Sequence, residues 1–208
     1  MSIMENPWDQ RFASMSGFMY GEAPNAWIAD QLPKLPAGAA ILAVADGEGR
    51  NSVWLAQQGY VVSNWDYSSV GLAKTQTLAQ RTGVAVKTQQ LDLIHDALPE
   101  SHFDAMVASF FHLPKHAQVA CWQRLLTRLK PGGVLVVQVF DESQLPLNSG
   151  GPKAVELLYD LSTWQHVLSH WEVKVCEVAE VFLDEGGHHQ GMARVINIKA
   201  VKPDEEQR

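Results

Sequence analysis

Short apolar runs alternate with amphipathic ones along most of the chain. Ala39 to Ala45 (AAILAVA) is continuously apolar and stops at a glycine-rich turn, the pattern of a strand buried on both faces. Tyr60–Asp66, Val84–Asp92, Phe103–Phe110 and Val134–Phe140 read as four further strands. Helical stretches lie between them. Arg50–Gln58 is stopped by Gly59. Ser68–Arg81 is capped by Ser68 or Ser69, presents Leu72, Ala73 and Leu78 on one face, and ends at Gly83. Gln118–Leu129 carries Cys121, Trp122, Leu125, Leu126 and Leu129 at helical spacing. Lys130-Pro131-Gly132-Gly133 then breaks the chain before the fifth strand.

Beyond Phe140 the alternation changes. Asp141–Pro152 reads as a loop and Lys153–Ser169 as a helix. Trp171–Leu183 and Met192–Val201 are extended runs joined by a glycine-containing connection, which predicts an antiparallel pair. The opening segment, with Trp8, Phe12, Phe18, Tyr20 and Trp27 among polar residues, reads as a helical cap. The expected fold is α/β: a seven-stranded, mostly parallel sheet with an antiparallel C-terminal edge pair and an N-terminal helical cap. Positions 1–202 are expected to form one domain, with the cap at 1–36, a ligand-binding core at 37–140 and a late helix with two strands at 141–202. Positions 203–208 are expected to be a disordered tail.

Composition narrows the function. Of 208 residues, 46% are hydrophobic, enough for a real core. The net charge of −7, with no basic cluster, argues against a nucleic-acid partner. No run reaches the roughly 18 apolar residues of a membrane helix. The opening MSIMENPWDQRF lacks a basic and an apolar secretory region, so a cytoplasmic protein, monomer or homodimer, is expected. Cys121 and Cys176 have no metal-type spacing, and two free thiols and no metal site are expected.

Two features carry chemistry. Ala45-Asp46-Gly47-Glu48-Gly49-Arg50-Asn51 follows a buried strand and opens a helix, where glycines permit a tight turn and the helix offers free N–H groups and a positive dipole end. Asp66 ends the next strand, 19 positions beyond Gly47, and is placed to accept ribose hydroxyls of a nucleoside cofactor. A plain strand-to-helix turn and a capping aspartate are the blander readings. A dinucleotide also suits both features. Against it stand Ser52 where a third glycine would be, the terminal antiparallel pair, and the Lys-Pro-Gly-Gly break.

With ILAVADGEGRN, VVSNWDYS, QQLDL, FDAMVASFFHLP and LKPGGVLVVQVF in that order, the chain resembles a class I S-adenosylmethionine-dependent methyltransferase over nearly its whole length. Trp8, Asp9, Arg11, Phe12, Phe18, Tyr20, Gly21, Pro24 and Asn25 make it similar to the tellurite-resistance and thiopurine methyltransferase-like group. The resemblance implies S-adenosyl-L-methionine as cofactor, held by Arg11, Tyr20, Ala45, Gly47, Gly49, Asn51, Asp66, Tyr67, Leu91, Asp92, Leu93, Ser109 and Phe110. Asp66 would take the ribose, Asp92 the adenine amino group between Leu91 and Leu93, and Arg11 and Tyr20 would close over the cofactor. The chain departs from the family's D-x-G-x-G-x-G at Ala43 and Ala45. A small-molecule acceptor is implied, thiol and chalcogen nucleophiles first. His112 is the candidate catalytic base, and His188 and His189 are candidate acceptor-side residues, though a structural histidine and a solvated loop remain the competing readings. A non-catalytic S-adenosylmethionine or S-adenosylhomocysteine binder and a nicotinamide-dependent oxidoreductase remain open alternatives.

Overall fold

The computed structural model describes residues 6–204; positions 1–5 of the expected cap and 205–208 of the expected tail lie outside the described residues. Seven strands form one sheet: β1 (Ala40–Val44), β2 (Val61–Asp66), β3 (Val86–Gln90), β4 (Phe103–Ser109), β5 (Leu129–Phe140), β6 (Glu172–Glu185) and β7 (His189–Val201). Their order is β3-β2-β1-β4-β5-β7-β6, the first five parallel and β7 antiparallel to both of its neighbours. The helices are α1 (Pro7–Ala13), α2 (Ala26–Gln31), α3 (Arg50–Gln57), α4 (Ser69–Thr82), α5 (Lys115–Leu126) and α6 (Leu161–Val167).

Strand alternation sends successive side chains to opposite layers. Ile41 and Ala43 pack with Ile28 of α2, Val53 and Leu55 of α3, and Leu78 of α4. Leu42 and Val44 face the other layer, where α5 and α6 contribute Trp122 and Trp164. Those two indoles lie 4.8 Å apart, and Trp122 Nε1 donates to the Tyr159 hydroxyl at 3.0 Å.

Five elements differ from the sequence reading. The helix expected over Gln118–Leu129 is α5 and begins at Lys115, directly after its N-cap Pro114, so Leu129 falls outside it and pairs with Phe103. The Lys-Pro-Gly-Gly segment therefore lies inside β5, as a register shift opposite Phe103 and Ala105, instead of preceding the strand. The helix expected over Lys153–Ser169 shrinks to Leu161–Val167. Tyr159 bridges to Asp141 and exchanges backbone bonds with Phe140 and Glu142, and Asp160 then caps the shorter helix by accepting from Thr163 N–H. Finally, β6 and β7 run into the expected loop until Glu185 faces His189, leaving a single short turn at Gly186–His188.

The carboxyl ends of β1, β2 and β4 meet at one edge of the sheet, and the chain leaves two of them in the left-handed region. Ala45 has φ +50° and Phe110 φ +55°. For residues with a Cβ this conformation costs about 1–2 kcal/mol. Ala45 N–H donates to Trp65 O at 2.8 Å, which locks the bend to β2. Ala45→Gly is expected to stabilise the protein by roughly 0.5–1 kcal/mol, after the added unfolded-state entropy of glycine is subtracted. A thermal melt should show a rise of about 1–4 °C for a chain of this size. A drop in the midpoint would mean that the lost methyl contacts outweigh the relieved strain.

Candidate functional site

The turn after β1 is clamped from three sides. Gly47 (φ +54°) donates its N–H to Asp66 Oδ2 at 2.8 Å, and its carbonyl accepts from Thr75 Oγ1 at 2.8 Å. A Cβ at Gly47 would lie 2.8 Å from the Phe12 ring, and one at Gly49 would lie 2.6 Å from Thr75 Oγ1. The two glycines thus leave room for protein side chains, Phe12 from the cap and Thr75 from α4.

The free helix terminus expected after the turn is also occupied. Asp46 accepts from Asn51 N at 3.3 Å, Asn51 Nδ2 at 2.7 Å and Ser52 N at 2.7 Å, and Val53 N bonds to Gly49 O. An aspartate five and six residues ahead of these N–H groups reaches them with its side chain, so α3 is capped internally. Burial raises the Asp46 carboxyl above the usual aspartate range in spite of these donors and Arg50.

Asp66, at the end of β2, is 6% exposed. Oδ2 accepts from Gly47 N and Oδ1 from Ser68 N at 2.7 Å. Each oxygen keeps a second acceptor site. Burial pushes this carboxyl up to about 6; the Ser68 and Gly47 N–H bonds oppose the shift, and the charges of Asp46 and Asp9 add to it. Next to it Tyr67 is 44% exposed. Asp92 is spent on its own turn, accepting from Ile94 N at 2.9 Å and meeting His95 Nδ1 at 2.8 Å. Leu91 and Leu93 are core residues, 7% and 4% exposed.

The cap is latched to this edge. Asp9 bonds Ser68 Oγ, Ser69 Oγ and Val70 N at the start of α4, and Asn6 Nδ2 donates to Tyr67 O at 2.9 Å. Burial raises the Asp9 carboxyl, but these donors together outweigh it and leave it lowered. Arg11 stacks over Trp8 at 5.0 Å instead of pointing inward, and the ring that covers the turn is Phe12.

On the β4 side a polar cluster gathers that the sequence reading recognised only in part. Asn51 Nδ2 and Arg50 Nη2 converge on Ser109 Oγ at 2.9 and 3.4 Å. Arg50 Nη2 also meets Glu185 Oε2 at 2.9 Å, and Asn25 Nδ2 bonds Glu185 Oε1 at 2.9 Å. Arg50 is 7% exposed, and its Nη1 is buried without a partner among the described residues. His189 Nδ1 lies 3.4 Å from Glu185 Oε2. Burial lowers the His189 pKa against the pull of Glu185; burial raises Glu185, but the His189 bond and Arg50 overcome it and leave it lowered. Asp46, Arg50 and Glu185 were missed. The buried arginine's position next to Asn51 offered a signal; Glu185 lies 135 positions from Arg50, beyond any spacing argument.

Around His189 stand Tyr20 and Phe110, each with ring centroids 4.5 Å away, and Phe140 at 5.3 Å. The left-handed φ of Phe110 is what lays its ring on Phe140, 4.5 Å distant. His112 stacks on the same Phe140 at 5.5 Å. Its Nδ1 pairs with Leu157 O at 2.9 Å, so the carbonyl fixes the proton there, and Nε2 is a buried lone pair with no partner among the described residues. Burial brings the His112 pKa down to about 4, opposed by the Leu157 bond and reinforced by His189. His188 is exposed, 6.1 Å from the Tyr20 ring. Among the described residues no group of three His, Cys, Asp or Glu forms a metal site, and no helix is long and apolar enough to cross a membrane.

Residues 41–133 match the family model described as a methyltransferase domain. Over 107 residues the chain is 33% identical to ribosomal RNA small subunit methyltransferase C of Chromohalobacter salexigens, covering 49% of this chain and 32% of that protein. The chain thus spans about a third of that relative's length. Among solved structures, one reported under "Conversion of a Disulfide Bond into a Thioacetal Group during Echinomycin Biosynthesis" superposes with TM-score 0.74 at 13% identity, over 96% of this chain and 92% of the other. TehB from Haemophilus influenzae gives 0.66 at 16% identity, over 80% and 58%. Magnesium protoporphyrin IX methyltransferase from Synechocystis PCC 6803, with bound S-adenosylhomocysteine, gives 0.62 at 16% identity, over 80% and 74%.

Asp66 provides a direct test of this geometry. Its folded pKa is raised from 3.8 to about 6, so the folded protein holds a proton that the unfolded chain has lost across that window. Its contribution to stability is therefore full below pH 4 and declines as pH rises to about 6. Carboxyl-carbon NMR should show one aspartate titrating near pH 6. Titration of Asp66 at or below 4 would contradict the buried placement.

Proposed function

We propose, on the premise that residues 41–133 are a methyltransferase domain set in the class I S-adenosylmethionine-dependent methyltransferase fold, that this chain transfers a methyl group from S-adenosylmethionine to a small-molecule acceptor. The observation that carries this reading is Asp66. It is a buried carboxylate at the end of β2, with one acceptor site per oxygen spent on backbone and one to spare for a ribose hydroxyl. The residues fit the cofactor at a second point, where Arg50 Nη1 is a buried donor lacking an acceptor and suits the cofactor's amino-acid carboxylate. Ser109 and Asn51 border that end, and Tyr67 and Asp92 border the adenosine end.

S-adenosylmethionine supplies the activated methyl group, so the protein's part is alignment, worth up to about 7–11 kcal/mol. The rings of Tyr20, Phe110, Phe140 and His189 supply a dry acceptor wall. His112 presents a lone pair in need of a donor. A thiol, selenol or hydroxyl can donate its proton to Nε2, and that proton becomes strongly acidic as the new bond forms. A weak base with a pKa of about 4 is then sufficient to take it. The soft, protonated nucleophile is the acceptor this arrangement favours. The net charge of −7 disfavours a polyanion such as RNA, the substrate class in the name of the curated relative.

Thermal unfolding with S-adenosylmethionine, S-adenosylhomocysteine and NAD tests the cofactor. A ligand at ~100 times its Kd stabilises by about 2.7 kcal/mol, which is roughly 5–10 °C here. The two sulfur nucleosides are expected to give this shift, and Asp66→Ala to weaken them by tens of fold. Their affinity should also fall below about pH 6, as Asp66 protonates. A shift with NAD alone would overturn the reading. In a thiol screen, His112→Ala is expected to lower kcat by about 100-fold while leaving cofactor binding intact; binding without turnover of any acceptor would make the chain a non-catalytic binder.

A further inference from the structure

Between the cap and the β6–β7 hairpin runs a cleft of about 610 Å³, within the range of small-molecule sites. Residues 20–24 with Trp27 and Asp30 form one wall, residues 181–186 the other, and Gln138 and Asn197 close the base. Three aromatic residues line it: Tyr20, Trp27 and Phe182. Phe182 is 71% exposed, the most exposed of the large apolar side chains among the described residues.

The charge of the cleft is one-sided. Glu22, Asp30, Asp184 and Glu185 line it, and among the described residues no lysine, arginine or histidine does. Two of these carboxylates are neutralised from outside, Glu22 by Arg81 and Glu185 by Arg50. The other two have neutral partners: Asp30 accepts from Gln31 Nε2 at 2.6 Å and Asp184 from Gln190 Nε2 at 3.1 Å. The nearby lysine, Lys199, is bonded to Gln31 at 3.5 Å. Aromatic faces beside two uncompensated carboxylates attract a cation and repel an anion.

The cleft also adjoins the site described above. Tyr20 and Glu185 belong to both, and Gly186 lines the cleft where the cap and the hairpin meet. A Cβ at Gly186 (φ +63°) would fall 2.6 Å from Met19 O and 2.8 Å from Gly21 N, so the cap and the hairpin meet only because that position has no side chain.

We propose that this cleft binds the cationic end of a small molecule with an apolar or aromatic body, and that this molecule is the methyl acceptor. The ligand class stands on the cleft alone; its role as acceptor rests on the methyltransferase reading.

The probes are phenethylamine and 3-phenylpropionate, similar in size and opposite in charge, titrated calorimetrically into the full chain. Phenethylamine is expected to bind about 10-fold or more tightly than the carboxylate, with the preference shrinking at 0.5 M salt. The double variant Asp30→Asn/Asp184→Asn should weaken it by roughly 2–10-fold while leaving the S-adenosylhomocysteine thermal shift unchanged. Equal binding of the two probes, no binding of either, or an amine affinity untouched in the double variant overturns the proposal. Charge-selective binding in a chain that shows no shift with S-adenosylmethionine would uphold the ligand class and remove the acceptor role.

Discussion

The carboxylate of Asp66 ties three elements together. By accepting from Gly47 N and Ser68 N it joins the turn after β1, the end of β2 and the start of α4 with one side chain. Burying a charge there works against stability, as its raised pKa records. The fold tolerates this because the two N–H groups would otherwise be buried without partners. Much of the edge follows from that arrangement. Ala45 must bend into a left-handed turn to bring Gly47 N–H to the carboxylate, and Ser68, fixed by its own N–H, caps α4 through its Oγ to Gly71 N.

A second layer is built on this one. The cap is attached where Asp66 has organised the backbone: Asp9 bonds the start of α4, and Phe12 lies against Gly47 and Gly71. Glu48, buried in the same turn, accepts from Met19 N at 2.6 Å and pairs with Lys74 at 2.7 Å, and Lys74 in turn holds the Met15 and Gly17 carbonyls. The loop that carries Tyr20 is therefore positioned by a residue of the glycine turn. The cap, the turn and α4 are thus joined through Glu48 and Lys74.

The parallel half of the sheet was legible in the sequence because its signals are local. Ala39–Ala45 is a buried strand by composition, Gly83 ends α4 with φ +74°, and Ser68 caps it, all within a few residues. The readings that failed depended on distant partners. Lys153–Ser169 has helical composition, yet Tyr159 is taken by Phe140 and Asp141 across the fold. The glycine turn is plain in the sequence, but the side chains packed on it, Phe12 and Thr75, come from 35 and 26 positions away. Asp66 and His189 were read from position in the topology; Glu185 and Arg50, which give His189 its surroundings, meet only when the hairpin folds back.

That hairpin explains why a buried ion pair stands so close to the candidate chemistry. Arg50–Glu185 would be a poor source of stability, since desolvating two charges offsets most of their attraction. Its value is geometric. Glu185 has two oxygens facing different ways, Oε1 toward Asn25 of the cap and Oε2 toward Arg50 and His189. Asn25 also bonds Gln138 of β5, and Gln138 bonds Asn197 of β7. One carboxylate thus registers the cap, the glycine turn and the late strands against each other. An apolar replacement of similar volume would fill the space without specifying the distance between Tyr20, His189 and Ser109. A site assembled from segments as far apart in the chain as positions 20, 50, 110 and 185 needs directional contacts at its centre, and here the buried charges provide them.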